Sequence, residues 1–287
     1  SGVASDPDEQ IQGQFSEAVI TNLLTRLDHV IARDNTLNFV GTNNGRTNSI
    51  PKGLTPSYNS IAVGRSDGSH GAGPTTFYGA GRTKVDIVVP QGSSSAATPV
   101  AASAGALLID NAGVGSDAAR NQVLKATLLA GATKDEFSTW DRTATRPLDE
   151  RFGAGELNIF NSFNIQAGGQ FEAAQDVVGP LIGKNGWDYQ DSASPLNDQF
   201  YSFEIGADET LDELSAVLAW NLNVTDTGAT SSVFTPVTSL ANFDLALLDS
   251  SGSVIDQSIS TVDNLEHIYI KDLQSGRYSL RVSGDSS

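Results

Sequence analysis

Gly92-Ser93-Ser94-Ser95-Ala96-Ala97-Thr98-Pro99-Val100-Ala101-Ala102-Ser103-Ala104-Gly105-Ala106-Leu107-Leu108 follows, after one glutamine, the run Asp86-Ile87-Val88-Val89-Pro90. The short apolar run, closed by proline, reads as a buried strand, and the small-residue run after it reads as a helix. Small Ala and Ser side chains let such a helix sit deep against its neighbours. The first-turn N–H groups of a helix are unpaired and its dipole is positive there, so this strand-to-helix turn favours negative charge developing on a substrate oxygen. Pro99 is compatible with a first turn, where its missing N–H costs little.

Before this turn, Phe15, Val19, Leu23, Leu27, Val30 and Ile31 recur at helical spacing, and Asp34-Asn35 breaks the pattern ahead of an apolar run from Leu37 to Val40. Further short strands are expected at Ser60 to Val63 and Val85 to Val89, and helices at Ala97 to Asn111 and Asp117 to Leu129. Residues 142 to 153, with Arg142, Arg146, Pro147, Arg151 and Gly153, read as a connecting loop before a last helix at Glu156 to Ile165. Helices alternating with continuous apolar strands predict an α/β domain with a parallel sheet covered by helices on both faces.

After Gly168-Gly169 the period changes to two. Phe200 to Ile205, Leu214 to Trp220, Phe243 to Leu248, Val254 to Ser258, His267 to Ile270 and Tyr278 to Val282 alternate, and turns such as Asp249-Ser250-Ser251-Gly252 separate several of them. This predicts an all-β sandwich or jelly roll. The expected domains are therefore 1–172 and 173–287. Charge divides the same way: the first holds 13 basic and 17 acidic side chains, the second 4 and 17, so the acid load sits on the second.

The net charge of −17 makes nucleic acid a poor partner, because a phosphate backbone needs Lys and Arg to replace its counterions. No stretch approaches eighteen consecutive apolar residues, so no membrane span is expected, and Ser1-Gly2-Val3-Ala4-Ser5 lacks the regions of a signal peptide. With neither Cys nor Met there are no disulfides, thiolate metal sites or cysteine nucleophile, and the chain reads as a processed or incomplete product. Acid excess with many Ser, Thr, Asn and Gly fits a secreted or cell-surface protein resting on core packing, with structural calcium as an option.

The helix around Ser95 resembles that of subtilisin-like serine peptidases, whose signature is Gly-Thr-Ser-x-Ala-x-Pro. Aligned through the proline, Ser93-Ser94-Ser95-Ala96-Ala97-Thr98-Pro99 puts Ser95 at the nucleophile position, with Ser93 replacing Gly, Ser94 replacing Thr and Val100 replacing the His common after the proline. Phe39-Val40-Gly41-Thr42-Asn43-Asn44-Gly45 resembles the family's strand into an Ala-Gly-Asn-x-Gly loop, which implies that Asn43 donates to the oxyanion, with Thr42 in place of Gly. Tyr58 to Gly64, Gly81 to Pro90 and Gly153 to Asn158 continue the resemblance in family order across residues 15 to 168. It implies the C-terminal part of a secreted endopeptidase that hydrolyses polypeptides through an acyl-enzyme and needs no cofactor for the chemistry.

The same resemblance implies an Asp and a His upstream of the oxyanion Asn. Neither the Asp-Thr-Gly strand end nor the His-Gly-Thr-His helix is present, so a missing N-terminal segment is the expected partner. The three histidines do not fill the gap: His29 lies in the first helix as a surface or rim residue, His70 in a glycine-rich turn as a structural or solvent-facing one, and His267 in the second domain. A serine without a general base is a weak nucleophile, so this chain by itself is expected to be inert. Catalytic metal is a poor alternative, because no two His stand at ligand spacing.

Residues 176 to 287 resemble the β-sandwich domains that follow secreted subtilisin-like catalytic domains, of the prepeptidase C-terminal or proprotein-convertase type, with Asp244 and Gly276-Arg277-Tyr278 as anchors. Stabilisation, surface binding or removal during maturation are the roles this implies. Asp244, Asp249, Asp263 and Glu266 are candidate calcium ligands, set against a reading as solvated surface. Trp187, Tyr189 and Trp220 form a binding platform or a core, and Asn223-Val224-Thr225 matches a glycosylation acceptor. The alternative to a peptidase is a catalytically inactive scaffold in an extracellular or cell-surface assembly, while a carbohydrate- or protein-binding module would leave residues 15 to 168 unexplained.

Overall fold

The computed structural model describes residues 15–113, 115–191, 197–230 and 233–284. Helix α1 runs Glu17–Asp34. Ser16 caps it by accepting the Val19 amide, and Asn35 ends it at a φ of 51°, a left-handed conformation that asparagine tolerates. The face it buries matches the expected stripe only in part. Of that stripe Ile31 is buried but Phe15, Val19, Leu23 and Val30 are exposed, and Ile20 and Leu24 are buried instead. The helix is turned so that the Asp28 carboxylate, itself fully buried, accepts from the Ser57 hydroxyl at 2.6 Å, the Asn59 amide at 2.8 Å and the Tyr78 hydroxyl at 2.7 Å. A buried carboxylate is tolerable only with such partners, and satisfying it sets the rotation of α1.

Strands β1 (Phe39–Gly41), β2 (Ile61–Arg65) and β5 (Ile87–Val89) form a parallel sheet in the order β1-β2-β5, with Phe39 opposite Ile61 and Val63 opposite Ile87. Between them, β3 (Gly73–Pro74) and β4 (Thr83–Lys84) make a short antiparallel ladder. Ile61, Val63, Ile87 and Val89 share one core with helix α2 (Ser94–Ala112) and helix α3 (Asn121–Ala130). A Cβ on Gly105 would lie 2.7 Å from the Leu37 side chain and 2.9 Å from Phe39, so the small residues of α2 let it approach β1 closely. Val88, on the other side of β5, packs with Val85 and Phe137.

Two expected helices are shorter than their sequence patterns. The pattern from Asp117 breaks at Arg120, leaving a 3-10 turn (Asp117–Ala119) before α3. Glu156 pairs with Val88 and Thr133, so α4 begins only at Ile159 and ends at Ala167.

The ladders among the remaining strands are antiparallel: β6 (Gln199–Ile205), β7 (Leu211–Ala219), β8 (Asn223–Asp226), β9 (Pro236–Ser239), β10 (Phe243–Asp249), β11 (Val254–Ser258), β12 (Leu265–Leu273) and β13 (Gly276–Gly284). They form a four-stranded sheet β11-β10-β13-β6 and the pairs β12-β7 and β8-β9. Ile205, Leu245, Leu247 and Val282 of the larger sheet share an apolar cluster with Ile268 and Leu273 of β12. From the same pair, Leu265, Val217 and Ala219 reach the core of the parallel sheet. Asn59 reinforces that contact by bonding both the amide and the carbonyl of Leu222, at 2.8 and 3.1 Å.

Candidate active site at the carboxyl end of the parallel sheet

Loops leaving the carboxyl ends of parallel strands converge, and open α/β sheets bind their ligands there. Here β1 runs into Thr42-Asn43-Asn44-Gly45, β2 into Ser66-Asp67, and β5 into the serine turn that starts α2.

The three serines of that turn do different things. Ser93 is the N-cap, its hydroxyl accepting the Ala96 amide at 3.1 Å. Ser94 is buried, and its amide and hydroxyl both reach Asn44 Oδ1, at 3.0 and 3.3 Å. Ser95 is exposed, and neither its amide nor its hydroxyl is hydrogen-bonded among the described residues. The cap at Ser93 starts α2 three residues before the expected start at Ala97, which corrects the placement of Pro99. It lies inside the helix, so it cannot donate to the Ser95 carbonyl as residue i+4 normally does.

Asn43 is buried, with Oδ1 3.4 Å from the Thr42 hydroxyl and packed over Gly71, where a Cβ would sit only 2.0 Å from that oxygen. Its Nδ2 takes no hydrogen bond among the described residues. The Asn43 carbonyl accepts the Gly71 amide at 3.0 Å, and the Gly45 amide donates to Ser69 at 3.1 Å, so the asparagine turn is braced by residues 69 to 71. The Asn44–Ser94 contact thus brings two turns together, each with its neighbouring residue, Asn43 or Ser95, holding a free N–H donor. A cleft of about 740 Å³ lined by Arg65, Asp67, Gln91, Gly92, Phe137 and Phe152 includes neither Asn43 nor Ser95 in its lining.

No histidine serves Ser95. His70 is fully buried, with Nδ1 accepting the Arg65 amide at 3.0 Å and Nε2 bonded to the Arg151 carbonyl at 2.8 Å. Burial pushes its pKa down to about 4, so it is a neutral brace under Gly64. His29 Nδ1 bonds Val224 O at 2.8 Å, and His267 is buried beside Trp140 with Nε2 3.3 Å from the Ser215 hydroxyl.

The candidate calcium ligands are dispersed. Asp249 caps a turn by accepting Ser251 and Ser253 amides at 2.8 and 3.0 Å, Asp263 accepts the Ser260 hydroxyl at 2.7 Å, and Asp244 stands on β10 opposite Ser283. Glu266 is buried, accepts the Ser258 hydroxyl and the Ser260 amide, and burial raises its pKa to about 8. Among the described residues no three His, Asp or Glu gather as a metal-binding set. Trp220 is buried edge-on to Phe243, Trp187 donates to Gln166 O at 3.2 Å, and Tyr189 lies under Arg120, so the three aromatics form no common platform.

Sequence reasoning missed Asn44 and Ser93. The second Asn of Thr42-Asn43-Asn44 carried no separate signal, but a serine immediately before a small-residue helix is an N-cap pattern. No helix of the described residues is long and apolar enough to cross a membrane. No protein-family model matches the chain, and no curated protein matches it in sequence.

Proposed function

We propose that this chain is the C-terminal portion of a secreted subtilisin-like serine endopeptidase. In this reading Ser95 attacks the scissile carbonyl of a polypeptide and forms the acyl-enzyme, while Asn43 Nδ2 and the Ser95 N–H receive the oxyanion. One observation carries it: of three consecutive serines at the start of α2, only Ser95 presents both a free hydroxyl and a free amide. The catalytic Asp and His are assigned to residues outside this chain, because His29, His70 and His267 are all engaged elsewhere. The outer edge of β1, at the end of the parallel sheet, is where such a segment would add a strand. Residues 173–287 are the accessory domain, their two larger antiparallel sheets forming a jelly-roll-like sandwich.

The test uses the complete gene product. A fluorophosphonate probe should label it, Ser95→Ala should abolish labelling and Ser94→Ala should retain it. Upstream sequence with neither Asp-Thr-Gly nor His-Gly-Thr-His overturns the reading. In that case the second reading, an inactive extracellular scaffold, stands on the structural commitment of all three histidines, and labelling is absent from wild type as well.

A further inference from the structure

Strand edges carry unpaired N–H and C=O groups, and proteins cover them or blunt them. Two long edges in the antiparallel part of this chain meet other segments. On β12 the His267 amide donates to the Ser258 hydroxyl at 3.2 Å. On β6, Phe200 exchanges two backbone hydrogen bonds with Ala174, at 2.8 and 3.0 Å, and the Ser202 carbonyl accepts the Ile182 amide at 2.7 Å. β8, β9 and β11 also pair on one side only, but β7 is the longest edge left without such cover. It pairs with β12 from Leu211 opposite Leu273 to Ala219 opposite Leu265, and among the described residues its backbone bonds to no other strand. Alternate residues along this nine-residue strand therefore direct their backbone groups away from β12.

A cavity of about 710 Å³ lies along that edge. Leu211 and the unbroken run Glu213 to Leu218 line it, while no β12 residue does among those described. Successive strand residues point to opposite faces, so a cavity touching both sets runs beside the strand rather than over one face. One wall is apolar, with Phe203, Leu245, Leu280 and Val282 from the four-stranded sheet; the facing wall is α3, through Val123, Ala126 and Ala130. Five carboxylates line the space, Asp135, Asp188, Glu204, Glu209 and Glu213, against one ammonium, Lys184. Asp135 is neutralised by Lys271 at 2.8 Å, but Glu204 and Glu209 have no ion pair among the described residues.

We propose that the β7 edge is a docking site for an extended polypeptide of a partner protein, which adds as a strand, sends apolar side chains into the cavity and directs a lysine or arginine toward Glu204 and Glu209. Main-chain hydrogen bonds to β7 supply affinity, and the alternate side-chain pockets supply selectivity. The acidic lining selects the basic flank. A compact apolar ligand would fill the space yet leave the β7 donors and acceptors unpaired, which is why a strand fits better. This site is independent of Ser95 and of the peptidase reading.

The experiment uses the 287-residue chain and a fluorescein-labelled nonapeptide of two lysines followed by alternating valine and threonine. Saturable binding by anisotropy is expected, with slowed hydrogen exchange at alternate amides of β7. N-methylation of three alternate peptide amides should weaken binding about tenfold or more, because several net hydrogen bonds are lost. Glu204→Lys with Glu209→Lys should weaken the lysine-flanked peptide and strengthen one flanked by glutamates. Absence of saturable binding, binding that leaves β7 exchange unchanged, or equal binding of the N-methylated peptide overturns the proposal. So does β7 protection that appears in the free chain as concentration rises, which would assign the edge to a second copy.

Discussion

The Asn44 side-chain oxygen accepts the Ser94 amide at 3.0 Å and lies 3.3 Å from the Ser94 hydroxyl, joining the loop after β1 to the first turn of α2. This contact occupies Ser94, and with Ser93 spent on the helix cap it leaves Ser95 as the free member of the turn. The three positions therefore separate stability from chemistry. Ser93→Ala should destabilise the chain by about 1 kcal/mol through loss of the cap. Ser95→Ala, at an exposed and unbonded position, should change stability by less than about 0.5 kcal/mol. Urea unfolding of the two variants checks the order, and a Ser95→Ala loss as large as that of Ser93→Ala would contradict the assigned roles.

Gly71 is the floor under Asn43. A Cβ there would lie 2.0 Å from Asn43 Oδ1 and 2.6 Å from the Ser49 carbonyl, so Gly71→Ala must displace either the asparagine side chain or the backbone. Overpacking of this kind costs about 1–3 kcal/mol. In the complete gene product, fluorophosphonate labelling of Ser95 should fall with it, while Gly92→Ala, whose added Cβ would meet open space, should leave labelling unchanged.

Asp28 anchors α1 to the segment that leads into β2. Asp28→Ala would leave the Ser57 and Tyr78 hydroxyls and the Tyr58 and Asn59 amides without their acceptor. Because each unsatisfied buried donor costs about 1–3 kcal/mol before relaxation, the loss should exceed about 3 kcal/mol. Tyr78→Phe removes one donor and should cost about 1 kcal/mol. Thermal unfolding followed by circular dichroism distinguishes the two.

Two buried groups give stability opposite pH dependences. Burial raises the Glu266 pKa from 4.5 to about 8, so the folded chain keeps a proton that the unfolded chain releases. Its contribution is full below pH 4.5 and is lost as pH rises toward 8. Burial lowers the His70 pKa from 6.5 to about 4, so there the unfolded chain binds the extra proton and stability is lost as pH falls from 6.5 toward 4. Glu266→Gln should remove the first slope and leave the second. Urea midpoints measured across both windows check this, and an unchanged slope in the variant would rule out Glu266 as its source.

The serine turn was legible because a buried strand followed by a small-residue helix leaves a local signature, and all three strands of the parallel sheet fell within two residues of their expected positions. Rotation of α1 was not legible. Phe15, Val19 and Leu23 make as good a stripe as Ile20, Leu24 and Ile31, and only the donors gathered around Asp28, which come from residues 57 to 78, choose between them. The short pairs β3-β4 and β8-β9 were missed because a few residues carry no measurable period.

By itself, then, the sequence determined the change from helix-and-strand to antiparallel periodicity near Gly168, the acidic second half and the candidacy of Ser95. Those follow from local pattern and composition, which the chain carries along its length. Which serine is free, which asparagine meets the helix, what His70 does and which strand edges stay open were decided only in three dimensions. Each depends on hydrogen-bond partners or neighbours distant in the chain, such as Asn44 with Ser94 or His70 with Arg151, and residue order does not encode the distance between them.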